Sequence, residues 1–403
     1  MKKSMIVAAM LAMVATGANA KSATDSATIA KNKPVFTVVK QNPITSIKDQ
    51  NRSGTCWAYS TLSYFESEIL KHTGKTYDLS EMFVANKTYM DRATMAVRMH
   101  GDVSFSQGGS AYDVLYALQH YGIVPEGAMP APGTLTGDSL ANFGEFFDVM
   151  TPYVEAVAKS NAKKISSAWK SGLQGIIDSY IGKTPEKFTY QGKQYTPQSF
   201  CQSLGLNLDD YVTITSYTHH PMWSKFAVEV QDNWRWPLSY NVPMDDLCKI
   251  IDNAVNNGYT IAWGGDVTED GFTRKGLGIA YDVKKVRSMA GTDADHWFKL
   301  SKDEKKEKFD SLGVNAPEVV PTQAMRQEAF DNWETTDDHG MHIYGIAKDQ
   351  NGKEYYMVKN SWGEYGDYKG TWYMTKAFVA YKTMDFMVNK NAIPKEIRKK
   401  LGI

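Results

Sequence analysis

The spacing of apolar residues predicts helices in the first half of the chain. From Cys56 onward, apolar residues recur at helical spacing on one face and predict an amphipathic helix that ends near Gly74. The residues on this face are Ala58, Leu62, Phe65 and Ile69. Further helices are predicted after Leu79, over 111–121 and, as one long amphipathic helix, over 153–180.

Beyond residue 211 the pattern changes. Short runs rich in β-branched and aromatic residues, such as 211–215, 259–263 and 342–347, predict strands. Because the helices come first and the strands later, the sequence favours an α+β fold with segregated layers over alternating βαβ units.

The N-terminus has the layout of a secretory signal peptide. Lys2 and Lys3 precede an apolar run over 5–15, and a short stretch of small residues ends at Ala20. This run is too short to cross the ~30 Å hydrocarbon layer of a membrane, and no later run reaches the ~18 apolar residues that a spanning helix needs. We therefore expect residues 1–20 to be removed and the mature chain to be periplasmic or secreted, with no membrane attachment.

Composition and charge exclude several classes of protein. Lys plus Arg and Asp plus Glu number 45 each in 403 residues, and no basic stripe interleaved with aromatic residues appears, so nucleic acid is not an expected partner. Three cysteines leave at least one thiol unpaired in an oxidising compartment. The adjacent His219 and His220 are expected to point apart, with no Cys, Asp or Glu cluster beside them, so we expect no metal and no cofactor.

Cys56 lies where a glycine-containing loop turns into the first predicted helix. The unpaired N–H groups and positive end of a helix stabilise a thiolate and lower the pKa of a thiol from its free value of ~8.5. Gln50, six residues upstream, could donate an amide N–H to an oxyanion near the sulfur. A buried core cysteine ahead of a helix is the alternative interpretation.

Two later segments supply a histidine and an asparagine. His339 enters an apolar strand, and Asn360 follows 21 residues later in an Asn-Ser-Trp-Gly run. A thiolate nucleophile needs an imidazolium partner, and a third group must fix the tautomer and plane of that ring. An asparagine carbonyl does so without a second negative charge, and Trp362 could shield the bond from water. His342 is the alternative base, but residues three apart in a strand point to opposite faces, so only one of the two can face the sulfur.

Together these motifs resemble the papain-like cysteine peptidases. The chain has a glutamine, five residues, Cys-Trp, then a histidine, then Asn-Ser-Trp-Gly, in the order that this family has. The resemblance implies that Gln50 donates to the oxyanion, Cys56 is the nucleophile, His339 is the general acid and base, and Asn360 orients His339. His339 also matches the family's His-small-Met pattern, which favours it over His342.

The same resemblance points to residues that bind the substrate. Gly108 and Gly109 lie where the family has a double glycine that hydrogen-bonds an extended peptide beside the nucleophile. A simple helix N-terminus is the alternative interpretation of this run. Trp362 is expected on the substrate-binding side as well. The expected partners are therefore peptide substrates.

Three segments, 184–200, 240–243 and 264–267, resemble the bleomycin hydrolase/aminopeptidase C branch of the family, and 283 residues separate Cys56 from His339, roughly twice the family's usual spacing. This branch implies a hexamer with the sites inside and a C-terminus in the cleft, where its carboxylate holds a substrate ammonium. Its members are cytosolic, whereas this chain carries an export signal. The tail also has four cations, so a solvated terminal helix is the alternative; they are Lys395, Arg398, Lys399 and Lys400.

Secreted papains usually carry a disulfide cysteine three residues before the nucleophile, where this chain has Ser53. Cys56 therefore lacks a local partner. Cys201 and Cys248 remain, either as a disulfide or as two free buried thiols.

The resemblance implies an α+β papain-like fold with a helical lobe, a β-barrel-like lobe and a large, mainly helical insertion. The expected division is a signal peptide at 1–20, the helical lobe with the nucleophile at 21–125, the insertion at 126–210, and the β-rich lobe with His, Asn and the tail at 211–403. The leading functional hypothesis is an exported aminopeptidase that cuts peptides through a Cys-His-Asn triad and a thioester. The alternatives are an endopeptidase with an open cleft and a catalytically silent peptide-binding protein.

Overall fold

The structure, a computed structural model, describes residues 34–132, 140–285, 301, 303–304 and 312–403. The predicted signal peptide lies outside these residues. The described chain begins with strand β1 (Thr37–Gln41). A loop then leads to the helices that form one side of the molecule.

Helix α1 (Cys56–Thr73) is the central helix of this side. Most of its residues are buried, because it packs on α2 (Glu81–Arg98), on α3 (Ala111–His120) and on the sheet. It ends as predicted at Gly74, whose φ of 70° is the left-handed conformation that glycine adopts without strain. Ser80 caps α2 by accepting a hydrogen bond from the backbone N–H of Phe83.

The single long helix predicted over 153–180 is wrong. The structure has two helices there, α4 (Gly144–Ala158) and α5 (Ala168–Ile181). The connecting residues 159–167 are exposed, and the hydroxyls of Ser160 and Ser166 accept hydrogen bonds from the backbone two residues further on. Such bonds compete with the helical hydrogen bonds, so the polar stretch breaks the helix.

The same region continues with a hairpin, β2 (Phe188–Tyr190) and β3 (Lys193–Tyr195), and with helix α6 (Pro197–Ser203). Buried residues of α4, α5 and α6 join the hydrophobic cluster that α1, α2 and α3 form. The predicted insertion therefore shares one core with the first three helices.

A large mixed sheet forms the other side of the molecule. Its strands lie in the order β5 (Lys225–Phe226), β6 (Ser239–Asn241), β4 (Tyr211–Thr215), β13 (Thr383–Asn389), β7 (Ile261–Gly265), β10 (His339–Lys348), β11 (Glu354–Lys359), β12 (Thr371–Thr375), β9 (Leu277–Gly278) and β8 (Phe272–Thr273). Strand β1 pairs with the far end of β10, with Thr37 opposite Lys348. Most of the described helices precede residue 204 and most of the described strands follow residue 210, which confirms the predicted α+β class.

Strand β10 separates two cores, because its successive side chains point to opposite faces. Met341 and Ile343 join a core with α7 (Met244–Asn256), α9 (Lys376–Lys382) and α10 (Lys395–Leu401), while α8 (Gln323–Asp331) packs beside α9. Gly340 and His342 face α1 instead: a Cβ added to Gly340 would lie 2.7 Å from the hydroxyl of Ser60. This packing brings the start of β10 beside the start of α1.

Across the described residues, no helix has both the length and the apolar character that crossing a membrane requires.

Candidate active site

A cleft opens where the start of α1 meets the sheet. Four parts of the chain line it: the first turn of α1, the strip 108–111, the loop 228–233, and the neighbouring ends of β7, β10 and β13. Cys56 and His339 both line this cleft although 283 residues separate them in the sequence. The fold therefore brings the predicted nucleophile and the predicted base to one place.

Cys56 is the first residue of α1. Burial, together with the charges of Asp337 and Asp232, raises the pKa of its thiol to about 12, although backbone hydrogen bonds from Gly340 and Trp57 lower it. The predicted lowering of the thiol pKa is therefore wrong, because burial outweighs the effect of the helix start.

His339 opens β10, where it pairs with Gly265 of β7. Its Nε2 lies 2.8 Å from Oδ1 of Asn360. That oxygen also accepts a hydrogen bond of 2.8 Å from the backbone N–H of Ser361, so it is an acceptor and Nε2 carries the proton. The neutral ring therefore keeps Nδ1 free to accept a proton. Burial lowers the pKa of His339 to about 4, while the bond to Asn360 raises it, so the imidazole is neutral near pH 7.

Asn360 follows β11 and is buried. Its backbone N–H donates to the carbonyl of Gly370, which fixes the residue, while its side-chain Nδ2 is buried without a hydrogen bond to any described residue. Trp362 covers the imidazole, with 4.9 Å between the ring centroids of His339 and Trp362. Trp362 therefore lies against the base, as the shielding role predicts, and its predicted contact with substrate stays a prediction.

His342, the alternative base, lies on the other face of β10, as the strand pattern predicts. Its Nδ1 lies 2.9 Å from the hydroxyl of Ser63, and the residue is fully buried. Burial lowers the pKa of this imidazole well below its ordinary value. His342 does not line the cleft.

Gln50 is buried beside the cleft and held at both ends of its amide. Its Nε2 donates to the carbonyl of Ser53 at 2.7 Å, and its Oε1 accepts from the hydroxyl of Ser361 at 2.6 Å. An amide nitrogen carries two hydrogens, so one N–H of Gln50 remains for another acceptor. Gln50 itself is not among the residues that line the cleft.

Gly108 and Gly109 both line the cleft, and both are packed too closely for a side chain. A Cβ added to Gly109 would lie 2.8 Å from the indole of Trp57, the residue after the nucleophile. A Cβ added to Gly108 would lie 1.9 Å from Oδ2 of Asp232. A side chain at Gly109 would displace the indole of Trp57, and one at Gly108 would displace the carboxylate of Asp232.

Sequence reasoning assigned no role to the acidic residues of the cleft. The described residues that line it include four aspartates, Asp232, Asp337, Asp338 and Asp385, and no lysine or arginine. Asp337 and Asp338 directly precede His339, so their position was readable from the motif. Asp232 comes from a loop with no motif, and nothing local in the sequence points to it.

The expectation that His219 and His220 point apart is wrong. Both rings turn onto one carboxylate: Nε2 of His219 lies 3.0 Å from Glu229, and Nε2 of His220 lies 2.8 Å from it. One nitrogen of each imidazole and one carboxylate oxygen of Glu229, atoms that could bind a metal ion, lie within 4.8 Å of one another. The rings also pack on Phe226, and these contacts draw the two side chains to the same side.

Of the two interpretations of Cys201 and Cys248, the structure supports two unpaired thiols. All three cysteines of the chain are free. Cys201 is buried in the core of the helical side, and Cys248 packs against the core behind the sheet.

The C-terminal tail is a helix away from the cleft, contrary to what the branch resemblance implies. Ile397 and Leu401 of α10 are buried in the core behind the sheet, and the backbone N–H of Ile403 donates to Arg398. Lys400 lies over the ring of Trp223, 4.3 Å from its centroid. Residues 395–403 are absent from the described lining of the cleft.

Comparison with known proteins gives one consistent answer. Residues 2–402 match the model of the Peptidase C1-like family. Aminopeptidase G of Lactobacillus delbrueckii subsp. lactis is 23% identical, over 88% of this chain and 83% of that protein. Aminopeptidase C of Lactobacillus helveticus is 23% identical, over 90% of this chain and 85% of that protein.

Among solved structures, PepW from Lactobacillus rhamnosis HN001 superposes with a TM-score of 0.68 at 19% identity, covering 99% of this chain and 95% of that one. At this identity the likeness shows the fold, and it agrees with the predicted two-lobed α+β architecture. The chain belongs to the Peptidase C1-like family and is a cysteine peptidase with a papain-like fold.

Proposed function

We propose that this protein is an exported aminopeptidase that hydrolyses peptides through Cys56, His339 and Asn360. The observation that carries the proposal is the imidazole of His339, held by Asn360 at 2.8 Å in the cleft that also contains Cys56. The aminopeptidase names of the relatives support the substrate class, and the N-terminal sequence pattern supports export.

The first half-reaction forms a thioester. Nδ1 of His339 takes the thiol proton, and the sulfur attacks the scissile carbonyl carbon. The backbone N–H of Cys56, unpaired at the first position of its helix, and the remaining N–H of Gln50 stabilise the oxyanion. The C–N bond then breaks, His339 gives its proton to the leaving amine, and the acyl group stays on the sulfur.

The second half-reaction releases the acid. Water attacks the thioester carbon while His339 takes one of its protons, and the C–S bond breaks as that proton returns to the sulfur. Asn360 keeps the ring plane and the tautomer fixed through both steps, because its carbonyl accepts only from Nε2–H.

Replacing the nucleophile tests the proposed role of Cys56. We expect Cys56→Ala to abolish hydrolysis of peptide substrates, because no other cysteine lies in the described lining of the cleft. The matched control is Cys248→Ala, which removes a thiol that lies outside the cleft and should keep full activity. An active Cys56→Ala enzyme with an unchanged thermal unfolding curve would refute the proposal.

Paired substrates separate the aminopeptidase from its alternatives. The rates for a fluorogenic aminoacyl amide with a free amine and for its N-acetylated form are compared on the wild-type enzyme. A preference for the free amine supports the proposed function, whereas a preference for the blocked substrate indicates an endopeptidase. If neither substrate is hydrolysed, the result favours a catalytically silent peptide-binding protein, whereas stoichiometric alkylation of Cys56 by iodoacetamide at mildly acidic pH counts against that alternative.

The proposal includes where the protein acts and how it assembles. We propose cleavage after Ala20, which the N-terminal mass of the protein secreted from a bacterial host checks directly. A hexamer, implied by the resemblance alone, is checked by the mass of the native assembly.

A further inference from the structure

The glycine strip of the cleft is covered by an acidic side chain from a distant loop. A Cβ added to Gly108 would lie 1.9 Å from Oδ2 of Asp232 and 2.7 Å from its Oδ1, so the carboxylate lies directly on the backbone of Gly108. Gly109, the next residue, lies against the indole of Trp57, beside the nucleophile. A substrate backbone that continued along the strip past Gly109 would collide with Asp232.

The carboxylate of Asp232 is held at one oxygen and open at the other. Arg92, which is fully buried, donates from both Nη1 and Nη2 to Oδ1 at 3.1 Å, and Ser106 contacts the same oxygen at 3.5 Å. Arg92 also donates to the carbonyl of Gly108 at 2.5 Å, so one guanidinium fixes both the strip and the acid above it. Within the described residues, Oδ2 has no hydrogen-bond partner, and it is the oxygen nearest the strip.

Asp337 adds a second carboxylate to this end of the cleft. It is half-buried, lines the cleft and makes no hydrogen bond or ion pair with any other described residue. Burial and the charges of Asp232, Asp385 and Asp338 raise the pKa of its carboxyl well above the ordinary value. The described lining of the cleft has no lysine or arginine, so no protein cation favours the ionised form of Asp337. A substrate ammonium beside this carboxyl would lower its pKa and favour the carboxylate.

We propose that Asp232 ends the cleft on the amino-terminal side of the substrate and that Asp232 and Asp337 bind the α-ammonium group of its first residue. The inference rests on the proposed aminopeptidase function and names the group that recognises the free amine. An ammonium supplies three N–H donors and one positive charge, which match the open oxygen of Asp232 and the unpaired carboxyl of Asp337. The tail does not line the cleft, so this recognition needs no part of residues 395–403.

The charge part of the proposal is tested with Asp232→Asn and Asp337→Asn. Asparagine keeps an oxygen that can accept from Arg92, so Asp232→Asn removes the charge and retains the packing. We expect kcat/KM for a free-amine aminoacyl amide to fall roughly 30-fold or more in each variant, as when one partner of a desolvated ion pair is removed. The N-acetylated substrate should change less than about threefold, because it carries no ammonium. The control is Asp148→Asn, on the exposed face of α4, which should match wild type with both substrates.

The steric part is tested with Asp232→Gly. Removing the side chain opens the strip at Gly108, so an N-acetylated dipeptide amide, which needs that space, should be cut faster than by wild type. An unchanged rate with this substrate would overturn the steric part. Thermal unfolding of each variant identifies any that fails to fold, and Asp337→Asn, whose carboxyl has no partner to lose, then decides the charge part.

The outcomes separate this inference from the proposed function. A wild-type enzyme without preference for the free amine overturns the aminopeptidase function itself. If the wild-type enzyme prefers the free amine and both Asp232→Asn and Asp337→Asn keep that preference, only the assignment of these two residues as the ammonium-binding groups is overturned. Equal losses with free and acetylated substrates would assign these residues a structural role and would also overturn the inference.

Discussion

The two ends of the cleft differ in how the side chains that act on the substrate are held. At the reacting end, the amide of Gln50 is held by Ser53 and Ser361, and the imidazole of His339 by Asn360, before any substrate arrives. At the other end, which Asp232 and Asp337 line and which we call the acidic end, Asp337 has no hydrogen-bond or ion-pair partner among the described residues. The groups that transfer protons and stabilise the oxyanion are therefore positioned before substrate binds. The carboxylates of Asp232 and Asp337 instead remain available for a cation of the substrate.

The largest effect on kcat is expected when the hydrogen bond between Asn360 and His339 is removed. Asn360→Ala removes the acceptor that fixes the tautomer of His339, so we expect kcat to fall about 100-fold with little change in KM, within the range of general acid–base catalysis. Steady-state kinetics on a free-amine substrate measures both constants.

The control for this change is Asn253→Ala, which also loses an amide hydrogen bond, here a partly buried one to the carbonyl of Ala392 outside the cleft. It should keep wild-type kcat. A loss in Asn360→Ala that appears only in KM would contradict a positioning role.

A smaller effect is expected on the free energy of unfolding, from His342, which lies outside the cleft, unlike His339. The pKa of His342 is lowered by burial, so the unfolded chain binds a proton that the folded protein excludes, and stability falls as pH drops below the unfolded pKa of ~6.5. In His342→Gln, the loss of unfolding free energy between pH 7 and pH 5 should shrink by about 1–2 kcal/mol. Urea unfolding at the two pH values measures this.

The matched control is His72→Gln, because His72 is exposed at the end of α1. It should leave the difference between the two pH values as in wild type. If His342→Gln behaves the same way, burial of that imidazole does not govern the acid sensitivity.

The smallest effect is expected at the tail. Deleting residues 402–403 moves the terminal carboxylate to Leu401, in a helix that packs behind the sheet and away from the acidic end of the cleft. We expect kcat/KM for a free-amine substrate to change less than about twofold. A large loss confined to free-amine substrates would show that the tail, and not Asp232 with Asp337, supplies the negative charge.

The motifs predicted much of the site because each is local. Cys56 begins a helix and His339 begins a strand, so spacing and composition locate both, and alternation along the strand separates His339 from His342. The position of Asp232 could not be predicted, because its contact with Gly108 depends on how a loop 124 residues away folds over the strip. The raised pKa of Cys56 was missed for a related reason: burial is a property of the whole fold.

Secondary structure shows the same limit. The helical pattern of α1 ends at a glycine and is read correctly, whereas two serines break the helix predicted over 153–180. The position of the tail likewise depends on the apolar residues Ile397 and Leu401, which outweigh its cations in deciding where it packs.

Strand β1 sets a boundary for maturation of the N-terminus. Thr37 and Val38 hydrogen-bond to the strand that begins with His339, and the ring of Phe36 stacks on Tyr373, with 3.7 Å between centroids. Proteolysis beyond Phe36 would remove this stacking contact and part of strand β1. It would thereby break backbone pairing to β10, the strand that begins with His339. Natural N-termini of the active enzyme should therefore lie before that residue.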